Sequence, residues 1–191
     1  MKGTKKLTTM AILTAMSVVF VALVHFPIFP AVSFLEYDPA DIPILICGFC
    51  FGPWAGLLVT VIASVIQGLT VSAQSGIYGI IMHVLATGVN VLVSASVYSR
   101  HKTKKTAAVA IVCGMLSHTV CMFAANLVVT PYFMMGAVNQ GTVAAVLDLM
   151  PLIVAFNLLK TGINGFITFF LYKKIKHLLF REHERKEGTV G

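Results

Sequence analysis

Lys160 stands apart from the other Lys and Arg residues, 14 in all, because it alone lies outside a short polar cluster. It falls in the apolar run 149–171, with Asn157 three residues before it and Asn164 four after, so a helix places all three on one face. An ammonium group in hydrocarbon costs about 2.5–3.5 kcal/mol even on insertion scales, so a compensating role is required. The chemistry on offer is binding. An ammonium can only donate hydrogen bonds, whereas an amide both donates and accepts. Snorkelling to the headgroups is hard from a position one-half to two-thirds of the way along the span. Asn126, in a separate apolar run, can converge on Asn157 if the two runs are antiparallel. Asp148, the only acid in or near the Lys160 run, lies about 18 Å away along a regular helix and suits a helix end better than an ion pair.

Other chemistry-bearing residues give weaker signals. Cys47-x-x-Cys50 has metal or redox spacing, but no second pair or histidine completes a set, and small apolar packing explains it. No metal or cofactor is expected. His83 and His118 lie inside apolar runs, where imidazoles serve as polar packing or as functional groups. Ser75, in Ala73-Gln-Ser-Gly76, with His83 or His118 as base, defines an alternative of another class, an intramembrane serine hydrolase. Its match to the G-x-S-G pattern of rhomboid-like proteases is incomplete, since Ala73 replaces the first glycine, and the main reading is not an enzyme.

The elements that must position these residues are membrane helices. Apolar residues make up 58% and charged ones 11% of 191 residues, at a mean hydropathy of +0.90. That composition indicates an all-α polytopic membrane protein. A span needs about 20 apolar residues, and the apolar runs predict six: Leu7–Val24, the short Pro43–Phe51, Trp54–Val71, Ile77–Tyr98, Ala107–Val129 and Val143–Leu171. The second and third form a tight hairpin broken at Gly52-Pro53, and Pro151 marks a kink or a first turn. His25–Asp41, with Pro27, Pro30 and Pro39, reads as a loop. The expected domain is single: an N-terminus over 1–6, a six-helix bundle over 7–172 and a basic tail over 173–191.

Basic clusters precede the first span, follow the fourth and follow the sixth, so all fall on one side, and both termini are expected to be cytoplasmic in a cell membrane. The first outer loop carries Glu36, Asp38 and Asp41. This asymmetry explains a pI near 9.4 without nucleic acid; the basic clusters meet anionic lipid headgroups. The N-terminal run reads as a retained helix rather than a cleaved signal peptide. Small residues four apart, Gly48/Gly52 and Gly52/Gly56, suit packing within the hairpin, whereas Ala11/Ala15 can dock a partner helix.

Three stretches carry a resemblance: Ala11-x-x-x-Ala15; Phe34-Leu-Glu-Tyr-Asp38-Pro-Ala-Asp41-Ile-Pro43 leading into Gly48-Phe-Cys-Phe-Gly52-Pro53; and Phe156-Asn157-Leu-Leu-Lys160. Over nearly its whole length the sequence resembles the substrate-binding S components of energy-coupling factor (ECF) vitamin transporters, particularly the riboflavin-specific branch. The resemblance implies a six-helix vitamin-capture subunit without an ATPase, working with a transmembrane coupling subunit and two cytosolic ATPases. It implies that Ala11 and Ala15 face the coupling subunit and that the loop between the first two helices is an outer lid. Asn157, Lys160 and Asn126 would contact the flavin, with Asn164, Leu35, Tyr37 and Tyr78 as further pocket residues. Phe34, Phe123 and Tyr132 are additional candidates for aromatic walls, and an S component for another vitamin is the alternative within the family.

Overall fold

The computed structural model describes the backbone of residues 3–187 and the side-chain surroundings of residues 3–175. Met1, Lys2 and residues 188–191, and the side chains of the expected basic tail beyond 175, lie outside the described residues. Among those described there are six α-helices: α1 (Gly3–Leu23), α2 (Asp41–Phe51), α3 (Pro53–Leu69), α4 (Gly76–Arg100), α5 (Lys104–Met135) and α6 (Gln140–Glu187). Four of them, α1, α4, α5 and α6, are long and apolar enough to cross a membrane. The hairpin helices α2 and α3, at 11 and 17 residues, are shorter.

Burial runs opposite to that of a water-soluble bundle. Leu23, Leu69 and Val120 are 70–75% exposed, while Ser64, Asn126, Asn164 and Thr168 are almost wholly buried. Polar groups inside and large apolar side chains outside suit a lipid solvent.

The central element is α2, which packs on α1, α3, α4 and α6, while α4, α5 and α6 follow one another around it. Residues Asp41 through Phe49 of α2 are all buried. The sequence permits this because Gly48 and Gly56 bring backbones together across α2, α3 and α4. Gly52 adopts φ +96, a left-handed region that favours glycine, and Pro53 then starts α3 with a preset φ. A Cβ at Gly56 would lie 2.5 Å from Val91 Cγ2 and 3.1 Å from Gly48 Cα. Gly56→Val is therefore expected to lower stability by about 1–3 kcal/mol, read as thermal unfolding in detergent. An unchanged transition would mean that these helices do not meet as described.

Pro131 and Pro151 sit inside α5 and α6, so Pro151 is past the first turn, α6 having begun at Gln140. The segment between α1 and α2 is not helical, as its prolines predict, but it is ordered. Phe26–Pro27 (β1) pairs antiparallel with Glu36–Tyr37 (β2), and a 3-10 turn spans Pro30–Val32. Val32 is buried against Val146, Met150 and Ile153, which fastens the segment to α6.

Candidate functional site

Lys160 does not rely on headgroups. Its Nζ lies 2.6 Å from Asp38 Oδ2, a contact that joins α6 to the segment before α2 across 122 residues of sequence. Asp38 is prepared for this by local structure: its Oδ1 accepts the Ala40 N–H at 3.0 Å, an Asx-turn that aims Oδ2 outward from the turn. Two N–H groups of Lys160 remain uncommitted. The expected helical face of Asn157, Lys160 and Asn164 is formed, but its three members have different tasks.

Asn164 has both N–H groups and one Oδ1 lone pair engaged. Its Nδ2 donates to Asp38 O at 2.9 Å and to Asp41 Oδ2 at 3.2 Å, and its Oδ1 accepts from the Tyr37 hydroxyl at 3.1 Å. Asn164 and Tyr37 thus clamp the segment Tyr37–Asp41 onto α6, and neither lines the cavities described below. Burial, with the Asp38 carboxylate beside it, raises the Tyr37 phenol above its ordinary value, so it remains a hydrogen-bond donor at neutral pH. Tyr37→Phe should cost about 1 kcal/mol and speed proteolytic nicking of residues 25–40. Nicking at the wild-type rate would show that the clamp does not restrain the segment.

Asp41, at the first turn of α2, is fully buried. It accepts from Thr87 Oγ1 at 2.6 Å and from Asn164, and its Oδ1 lies 3.8 Å from His83 Nε2. It is the junction of α2, α4 and α6.

Beneath the segment lies a cavity of about 850 Å³, counting its open mouth, lined by Leu35, Asp38, His83, His118, Asn157 and Lys160 among others. A second space of about 430 Å³ shares Phe34, Leu35, Ser75, Gly79, Met82 and Met122 with it and adds Tyr78, Asn126 and Phe133. The two share this boundary and form one amphipathic site. Asn157 gives one N–H to Ile153 O at 2.8 Å, and its Oδ1 receives the His118 Nε2 proton at 2.9 Å. Asn126 likewise uses one N–H on Met122 O, and its Oδ1 accepts from Thr130. Each amide keeps one N–H and one lone pair for a ligand. With Lys160, the α5/α6 wall therefore offers four N–H donors above apolar and aromatic surface.

Lys160, Asn157, Asn126, Leu35 and Tyr78 are thus brought around one space, while Tyr37 and Asn164 support it from behind. Of the aromatic candidates, Phe34 lines the site; Phe123 and Tyr132 are largely exposed and do not. Sequence reasoning missed Phe133, Met82 and Met122, and it missed Asp38 as the partner of Lys160. A pair of acids three apart around Asp38-Pro39, directly before an apolar run, was the available signal. Ser75 lines the site without an imidazole partner: His83 Nδ1 lies 2.7 Å from Ser64 Oγ instead, and His118 is engaged by Asn157. Ala11 and Ala15 line neither of these spaces; they border a separate apolar groove with Leu58, Ile62 and Ile66 of α3.

Known proteins share this fold and family. The family described as "ECF transporter, substrate-specific component" matches residues 5–172. The riboflavin transporter FmnP of Bacillus subtilis (strain 168) is 25% identical over 184 residues, covering 90% of this chain and 92% of that protein. The riboflavin transporter RibU of Staphylococcus aureus (strain TCH60) is 24% identical over 184 residues, covering 95% of each. A solved structure of the S component of a bacterial ECF transporter has the same fold, with a TM-score of 0.78 at 22% identity over 93% of this chain and 99% of that one. With a family match that runs from the first helix into the last, around a polar-lined cavity inside a bundle with an apolar exterior, this chain belongs to the substrate-specific components of ECF transporters.

Proposed function

We propose that the chain captures riboflavin or a closely related flavin for uptake through an ECF transporter. The observation that carries this reading is the donor-rich wall of Lys160, Asn157 and Asn126 above an apolar, aromatic-lined space. A flavin presents a flat apolar ring system with a uracil-like edge that has two carbonyl acceptors and one N–H. The uncommitted N–H groups suit the carbonyls, and an Asn lone pair suits the N–H. The names of the two relatives support the same ligand class.

In this reading all six helices span the membrane, with α2 and α3 as a short hairpin, and both termini are cytoplasmic. Residues 25–40 form the lid, held down by the Asp38–Lys160 pair and the Tyr37–Asn164 clamp. The Ala11/Ala15 stripe docks the transmembrane coupling subunit, and two cytosolic ATPases supply the energy. Titrating the purified, ligand-free protein with riboflavin should quench the vitamin's fluorescence with saturable, one-to-one stoichiometry. Absence of quenching, together with saturable binding of a different vitamin, would overturn the flavin assignment.

A further inference from the structure

Two outer segments of the bundle are tied to one hydroxyl on α1. The buried face of this helix consists of Met10, Leu13, Thr14, Ser17 and Val21, while Ala11 and Ala15 are exposed. The Thr14 hydroxyl bonds the Met10 carbonyl one turn back on the same helix, whereas Ser17, wholly buried, reaches two other elements. Its Oγ donates to Ala40 O at 3.0 Å, which uses its only proton, so the 3.2 Å contact with Gln67 Nε2 is a donation from the amide to Ser17.

Each partner belongs to a segment that borders the cavity. Ala40 ends the segment before α2, and its N–H is held by Asp38, whose other carboxylate oxygen accepts from Lys160. Gln67 lies near the end of α3, and its carbonyl accepts the N–H groups of Thr70 at 3.2 Å and Ser72 at 2.8 Å, which shapes the turn into α4. That turn brings Ser72 and Ser75 to the cavity, as the segment before α2 brings Leu35 and Asp38. Unseating either segment therefore moves a partner of Ser17. Apart from Thr14, whose bond stays within α1, the rest of the buried face is apolar. In lipid such contacts gain nothing from the hydrophobic effect, because hydrocarbon tails replace them, so close packing and hydrogen bonds decide how firmly a helix is held.

We infer that Ser17 is the joint through which the seating of the two outer segments fixes α1, so that the Ala11/Ala15 face keeps one placement against the bundle only while both segments are down. The two-state element is the seated or unseated segment, and Ser17 is where α1 feels it. The consequence for docking rests on the reading of α1 as the coupling face; the joint itself does not depend on which ligand fills the cavity.

Amide hydrogen exchange, read by mass spectrometry of peptides from residues 3–23 and 25–40, tests it in wild type, Ser17→Ala and Thr14→Ala, each with and without Tyr37→Phe. Tyr37→Phe removes the hydroxyl that clamps the segment onto α6. It should speed exchange in α1 about threefold in the wild-type and Thr14→Ala backgrounds and leave it unchanged in Ser17→Ala. Thr14→Ala separates the joint from general loosening, since it removes a neighbouring buried hydroxyl whose bond stays within α1. Saturating riboflavin should slow α1 exchange in the wild type but not in Ser17→Ala. Acceleration of α1 by Tyr37→Phe that is equal with and without the Ser17 hydroxyl, or no acceleration in the wild type, would overturn the proposal and leave the flavin reading standing. Failure of riboflavin to bind would overturn the flavin reading alone, and the Tyr37→Phe comparison would still decide the joint.

Discussion

Lys160→Ala is expected to weaken flavin capture by at least about one hundredfold and to lower the stability of the empty protein by about 3–5 kcal/mol. The first effect follows from losing charge-assisted donors in the cavity wall. The second follows from leaving the Asp38 carboxylate without its partner, since breaking a buried pair from one side strands the remaining charge. The two effects are separable. In Asp38→Asn/Lys160→Met the Asp38 charge goes with its partner and only the Asp41 carboxylate stays, still held by Thr87 and Asn164 and facing His83, so most of the stability should return, whereas ligand affinity should not. Thermal unfolding in detergent reads stability, and fluorescence titration reads affinity. A double variant that is still as unstable as Lys160→Ala would show that the pair is not what offsets the charge.

Asp41→Ala should be the most damaging single replacement for the fold itself, at about 3–5 kcal/mol. Removing the carboxylate leaves the Thr87 hydroxyl, one Asn164 N–H and the facing edge of His83 without an acceptor, all inside the bundle. Asp41→Asn should be milder, because its amide oxygen can still serve Thr87 while its amide nitrogen faces the Asn164 donor. The ordering wild type, Asn, Ala should appear in thermal midpoints and in the yield of monodisperse protein. An alanine variant as stable as wild type would remove Asp41 from the centre of the network.

How much of this was legible beforehand follows from the range of each interaction. Helix positions are written locally: apolar runs bounded by Gly52-Pro53 and by basic clusters placed every helix to within a few residues at most boundaries, and the prolines of 27–39 excluded a helix there. The polar face of α6 was legible for the same reason, since residues three and four apart share a face. Gly48 and Gly56 were readable as hairpin packing because their spacing is a property of adjacent helices.

What the sequence concealed is long-range. Asp38 and Lys160 are 122 residues apart, and nothing local says that an acid in a proline-rich loop folds down onto a lysine in the last helix. The same distance hid the three partners of Asn164, which tie it to the segment 37–41. His83 was equally ambiguous, because an imidazole in an apolar run acquires a role only from what faces it, here Ser64 from α3 and Asp41 from α2. Ser75 illustrates the converse. Its short motif invited a nucleophile, but the local pattern could not supply the base.

The central claim is that the space between Lys160, Asn157, Asn126 and the segment 25–40 holds a flavin. Mass spectrometry of the small molecule released from protein purified out of riboflavin-containing cells tests it most directly. The account predicts a single species with the mass and yellow fluorescence of riboflavin, near one per chain in the wild type and lost in Lys160→Ala. A stoichiometric ligand of a different mass, or riboflavin retained undiminished by Lys160→Ala, would contradict it.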